Sequence, residues 1–150
     1  MPVIKRKILF VCVHNSARSQ MAEAFLNKLG AGQFEGESAG LEPGILNPAV
    51  VTVLLERGID IQGKMTRDVF DLFAQGKTYH AVITVCDQAN SEKCPVFPGR
   101  VKRLAWSFQD PSLFTGTQGE VLEKTRKLRD EIEKAIIDFI RQAGKMDFWL

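Results

Sequence analysis

The stretch Ile8-Leu9-Phe10-Val11-Cys12-Val13-His14-Asn15-Ser16-Ala17-Arg18-Ser19 decides the fold. Its first six residues are a continuous apolar run with β-branched members, the pattern of a strand buried on both faces. From Ser16 the spacing becomes helical. Ala22, Phe25, Leu26 and Leu29 fall at i, i+3, i+4 and i+7, and Gly30 and Gly32 stop the pattern.

The remainder of the chain repeats this alternation. Residues 34–39 read as a second strand, weakened by Gly36 and two glutamates. Asn47-Pro48 opens a helix as cap and first helical residue; Val50, Val51, Leu54 and Leu55 form its apolar face, and Gly58 closes it. Residues 66–75 read as a short helix with Val69, Phe70, Leu72 and Phe73 inward. Residues 81–86 and 101–106 read as buried strands, the latter entered from the turn-rich Pro95-Val96-Phe97-Pro98-Gly99. Thr117 and Glu120 make a capping box for a last helix. Val121, Thr125, Leu128, Ile132, Ala135, Ile136, Phe139, Ile140 and Ala143 then hold one face up to Gly144. Strands alternating with helices predict an α/β fold: a four-stranded, parallel, doubly wound sheet with helices on both faces. For the tail ending in Phe148-Trp149-Leu150, docking and disorder are equally open.

A chain of 150 residues fits one domain, 1–150, able to bury about two-thirds of the surface its unfolded form exposes. A formal charge of +2 and the absence of any run of like charges give no reason to expect nucleic acid. No apolar stretch approaches the length of a membrane span. Lys5-Arg6-Lys7 before an apolar run resembles a signal peptide, but the run has six residues, His14-Asn15 ends it and no cleavage site follows. A cytoplasmic protein is therefore expected. In that reducing compartment the odd count of three cysteines points to reactive thiols.

In an open parallel sheet, ligands bind beyond the carboxyl ends of the strands. Cys12 ends the first strand, Cys86 the third, and Asp110 follows the fourth, so the three are expected to share a site. The loop Val13-His14-Asn15-Ser16-Ala17-Arg18 can curl its backbone N–H groups around one centre, where a helix N-terminus adds further donors. Arg18 supplies a fork for two oxygens of a tetrahedral anion. The same field favours a thiolate at Cys12 as nucleophile. Ser19 can donate to that sulfur, and Asn15 can hold the loop. The Gly-rich phosphate loop of nucleotide-binding proteins is missing. A plainer alternative is a buried strand-end cysteine followed by an unrelated arginine. Plain readings also exist for Cys86 as a small buried hydrophobe, Cys94 as an inert surface thiol and Asp110-Pro111 as a turn starter. The C-x7-C spacing of Cys86 and Cys94 is wide for structural zinc. His14 and His80 carry no assigned role.

Cys12-Val13-His14-Asn15-Ser16-Ala17-Arg18-Ser19 resembles the loop of the low-molecular-weight tyrosine phosphatase superfamily, and Asp110-Pro111 resembles its general-acid loop. With Ser38-Ala39-Gly40, the resemblance runs across essentially the whole chain. Within the superfamily, Val85-Cys86-Asp87 and Cys94-Pro95 resemble the redox segment of thioredoxin-coupled arsenate reductases. That resemblance implies attack of Cys12 on arsenate, Arg18 and the loop holding its charge, and Asp110 protonating the departing oxygen. Cys86 and then Cys94 would take over the disulfide, and thioredoxin would reopen it. It implies a monomer with no required cofactor, and some relatives bind potassium beside the loop. The matching positions are Asn15, Glu23, Ser38 and Asp68, whose plainer reading is a hydrogen-bond network.

Cys86 and Cys94 are eight positions apart, one more than the common family spacing, and Ala17 stands where many relatives have another cysteine. A helix between Cys86 and Cys94 would hold their Cα atoms roughly 12 Å apart. A disulfide needs about 4.4–6.8 Å, so residues 87–93 are expected to rearrange on oxidation. Two other readings compete. A low-molecular-weight protein tyrosine phosphatase needs the loop and acid but neither Cys86 nor Cys94; Ser112-Leu113 after the acid dipeptide, where many such phosphatases carry aromatics, weighs against it. The other is an oxyanion- or metalloid-binding sensor without turnover. A glutathione-linked reductant stays open beside thioredoxin, as does a weak phosphatase side activity.

Overall fold

A computed structural model describes residues 4–150, leaving out the side chains of residues 88 and 89. Four strands, Arg6–Cys12 (β1), Phe34–Gly40 (β2), Ala81–Thr84 (β3) and Lys102–Ala105 (β4), form one sheet in the order β2-β1-β3-β4. Every pairing is parallel. β1 lies inside the sheet, which is why its sequence is apolar without alternation: Ile8 to Val11 are all fully buried. β4 is an edge, and Lys102 and Arg103 on it deter a further strand.

The helices are Arg18–Leu29 (α1), Pro48–Leu55 (α2), Val69–Ala74 (α3), Gln88–Ser91 (α4) and Gln118–Ala143 (α5), with 3-10 turns at Pro111–Leu113 and Met146–Trp149. On one face of the sheet, α1, α2 and α5 pack Met21, Phe25, Leu26, Val50, Leu54, Ile132 and Ile136 against Ile8, Phe10 and Ile83. The opposite face is thinner. Leu9, Val11 and Val82 there meet Val69 and Leu72 of α3, together with Tyr79 and Phe97. Helices on both faces are thus present, though very unequally.

Local signals act as expected at several ends. Asn47 Oδ1 accepts from the Ala49 and Val50 amides ahead of Pro48. The Thr117–Glu120 capping box forms at the start of α5. The tail docks: Phe148 packs edge-on against Phe139, and the Trp149 indole donates to Ala143 O at 2.8 Å.

Other expectations are corrected. α3 begins at Val69, because Asp68 is already its cap, accepting from the Phe70 amide at 2.8 Å. Phe70 and Phe73 are 45% and 43% exposed, since so short a helix turns only Val69 and Leu72 inward. Leu55 is exposed and Val53 is buried in its place on the face of α2. Leu29 is also exposed, at the end of α1. β3 stops at Thr84 and β4 spans only Lys102–Ala105, so Cys86 lies just beyond its strand. Among the described residues, no helix is long and apolar enough to cross a membrane.

Candidate active site

Three of the five helices, α2, α3 and α5, have their first-turn amides satisfied by a side-chain cap from Asn47, Asp68 or Thr117. At α1 the cap position is Ala17, with no side-chain hydrogen bond and no acidic residue in the first turn. Its unpaired donors and positive dipole end therefore remain available to an anion. The loop before it is turned for the same purpose. The carbonyls of Cys12, Val13, His14 and Ser16 accept from the amides of Leu41, Glu42, Gly44 and Asn47. With those oxygens engaged outward, the peptide planes turn N–H groups inward, and the Asn15 amide donates to Cys12 Sγ at 3.2 Å. Asn15 makes the turn with φ 54, a left-handed conformation that asparagine tolerates better than most residues.

Cys12 is buried, with Ser19 Oγ 2.8 Å from its sulfur. The Asn15 amide aimed at that sulfur suits a nucleophilic role for it. Behind the loop, the Asn15 amide group donates to Ser19 Oγ and Ser38 Oγ at 2.8 and 2.9 Å. The Ser38 hydroxyl in turn donates to Glu23 Oε1 at 3.1 Å. Glu23 is itself paired with Lys64. Three of the four suggested cation positions, Asn15, Glu23 and Ser38, thus form one hydrogen-bonded chain, whereas the Asp68 carboxylate caps α3.

Arg18, also buried, reaches out of the first turn of α1: Nη1 donates to Phe108 O at 3.3 Å and Nη2 lies 3.6 Å from Asp110 Oδ2. Asp110 is in addition the turn starter of its plainer reading, its Oδ1 accepting from the Ser112 amide and hydroxyl. One carboxylate oxygen fixes the turn while the other faces the arginine.

The three thiols are free. Cys12 and Cys86 are buried in the same apolar cluster, at the carboxyl ends of the paired strands β1 and β3. Cys94 packs against the cluster on the other face, after α4. Burial pushes the Cys86 thiol up to about 11, with the Cys12 thiol adding to the effect against the pull of Arg18. Burial, then the nearby Cys86, likewise pushes Cys94 up to about 11. The joining segment is held by short-range bonds: Asp87 accepts from the Asn90 amide and side chain, and the Cys94 amide donates to Ser91 O. A cavity of about 300 Å³ beside it is lined by Ser91, Cys94, Phe97 and Arg103 among others.

Sequence patterns missed the strap over the loop. The Met65 carbonyl accepts from Gln20 Nε2, Thr66 Oγ1 donates to Gly44 O, and the Arg67 amide donates to Asn15 Oδ1. Nothing in spacing or periodicity marks residues 64–67 as neighbours of Cys12. Gly40 is equally decisive: an added Cβ would sit 2.7 Å from Val13 O and 2.8 Å from Asn15 N. His14 Nδ1 lies 2.9 Å from Glu42 O, and His80 Nδ1 accepts from the Lys7 amide. Both histidines therefore have structural partners.

Residues 7–147 match the model of the low molecular weight phosphotyrosine protein phosphatase family. An arsenate reductase of Bacillus licheniformis is 40% identical over 135 residues, covering 90% of this chain and 95% of the relative. Among solved structures, an arsenate reductase in its oxidized state superposes with a TM-score of 0.75 at 30% identity, covering 91% of this chain and 97% of the other. A thioredoxin-dependent arsenate reductase of Corynebacterium glutamicum gives 0.61 at 28% identity, over 89% of this chain and 62% of that one.

Proposed function

The chain belongs to the low-molecular-weight phosphotyrosine protein phosphatase family, and on that premise we propose that it is an arsenate reductase working through Cys12, Cys86 and Cys94. The observation that carries this reading is the burial of Cys12 and Cys86 in one cluster beside an uncapped helix N-terminus, with Cys94 one short helix away. A phosphatase has no use for the second and third thiols.

Arsenate enters the loop, its charge met by the α1 amides and Arg18. The Cys12 sulfur attacks arsenic, and the displaced oxygen leaves as water with a proton from Asp110. Cys86 attacks the Cys12 sulfur. The electron pair of the sulfur–arsenic bond stays on arsenic, which leaves as arsenite, two electrons richer, and a Cys12–Cys86 disulfide remains. Cys94 then attacks Cys86 and frees Cys12. The resulting Cys86–Cys94 disulfide is opened by a dithiol. Thioredoxin is the proposed donor, in line with the Corynebacterium neighbour.

The segment from Asp87 to Cys94 is proposed to rearrange for the second exchange. Its exposed local bonds and the adjoining cavity support that movement. Incubating reduced protein with arsenate and mapping disulfides by mass tests the reading: a Cys86–Cys94 bond is expected only when arsenate is present. Cys86→Ser and Cys94→Ser are expected to end multiple turnover while sparing slow hydrolysis of p-nitrophenyl phosphate. Fast ester hydrolysis with arsenate ignored would instead make the protein a phosphatase.

A further inference from the structure

The Glu23 side chain is 4% exposed, on a helix that packs against the sheet, and among the described residues it is ion-paired with Lys64. The lysine is delivered there by construction. Gly63, at φ 78, closes a tight turn in which the Lys64 amide donates to Ile61 O, and Ile61 is itself buried. The next three residues then bind the loop and its flanks one by one, through Met65 O, Thr66 Oγ1 and the Arg67 amide. From the ammonium an unbroken series of polar contacts runs through Glu23, Ser38, Asn15 and Ser19 to Cys12 Sγ.

We infer that Lys64 is a built-in cation that neutralises Glu23 and so positions the Asn15–Ser19–Cys12 network, in place of a diffusible alkali ion. An alkali ion at this spot requires oxygen ligands with open lone pairs and no competing positive charge. The residues do not offer that. The Glu23 carboxylate holds an ammonium, Asn15 Oδ1 already accepts from Gln20 Nε2 and the Arg67 amide, and Asp68 Oδ1 is engaged in capping α3. The inference deepens the arsenate-reductase reading and rests on Cys12 being its nucleophile. Burial, then the neighbouring Arg67, pushes the Lys64 ammonium down to about 8.

The test compares the full chain and Lys64→Ala in potassium, ammonium and choline chloride at equal ionic strength. The thermal midpoint and the rate of Cys12 alkylation by iodoacetamide, followed by peptide mass, are read without arsenate. For the unaltered chain, both are expected to be the same in all three salts. For Lys64→Ala in choline chloride, alkylation should slow about tenfold, the scale on which an outer partner orients a reacting group. Its midpoint should also fall, and potassium or ammonium, the latter supplying the missing head group, should restore both. An unaltered chain that responds to potassium overturns the inference, as does a Lys64→Ala protein indistinguishable from it in choline chloride. If Lys64→Ala fails to fold in choline chloride, recovery in ammonium or potassium chloride supports the inference and failure in all three overturns it. Because neither readout involves arsenate, a chain that proves to be a phosphatase leaves the test intact.

Discussion

At Gly40 one added carbon would collide with the backbone of the anion loop, 2.7 Å from Val13 O and 2.9 Å from His14 C. Neither atom belongs to a side chain that can swing away. Gly40→Ala is therefore expected to spread the loop and reduce arsenate turnover by about a hundredfold or more, the scale of a misplaced reacting group. A steady-state assay and loss of protection by phosphate against heat would both register it. Cys86 and Cys94 make a second residue-scale prediction. Thiols pushed from the ordinary 9.0 to about 11 hold about one hundredth of the usual thiolate at neutral pH. In the resting protein both should react slowly with iodoacetamide, gaining about tenfold per pH unit until near 11. The sign for stability follows from the same direction. Both thiols are kept protonated by the fold, so their contribution is whole below pH 9 and is lost as pH rises through about 11. Chemical denaturation of reduced protein should show that alkaline loss, and Cys86→Ala should lessen it. The sequence singled out Cys12, Arg18 and both further thiols, and the structure places Cys12 and Cys86 in one cluster, because side-chain chemistry and strand ends are local. It could not show Lys64 or Gln20 at the loop, since their contacts are fixed by how distant segments cross.

Among the elements, α5 was the easiest to read and α3 the hardest, for one reason. Over 26 residues an apolar stripe repeats many times and outweighs any single exception. Over six residues two phenylalanines suffice to suggest a face that the packing uses only in part, Phe73 meeting Phe97 edge-on while staying half-exposed. At the start of α5, Thr117→Ala removes one half of a capping box and should lower stability by about 1 kcal/mol, measurable by urea denaturation. The element between Cys86 and Cys94 makes a different kind of prediction. α4 has four residues, and its flanking bonds from Asp87 and Asn90 are exposed. On oxidation the amides of Asn90, Ser91 and Cys94 are expected to lose hydrogen-exchange protection while those of β1 keep theirs. Unchanged protection across 87–94 in an oxidised protein with a proven Cys86–Cys94 bond would contradict the movement proposed for this segment.

Across the molecule, the parallel arrangement followed from alternating strands and helices, but the order β2-β1-β3-β4 and the unequal covering of the two faces did not. Those depend on which side each crossover takes. The tail was open to two readings because its aromatics find partners only in three dimensions. The Arg6 guanidinium lies 4.3 Å from the centre of the Trp149 ring and Lys102 lies 4.2 Å from that of Phe148, joining the starts of β1 and β4 to the 3-10 turn after α5. Trp149→Ala should cost about 2 kcal/mol, seen as a lower thermal midpoint, with turnover at the far end of the sheet unchanged. The unequal faces divide the protein's labour. Cys12 and Cys86 stand on the thick, well-buttressed side, whereas Cys94 and its cavity lie on the lightly covered one. Under the proposed relay, substitutions around Phe97 and Arg103 are therefore expected to alter reduction of Cys94 by its dithiol donor, while oxyanion binding at the Cys12 loop is left alone.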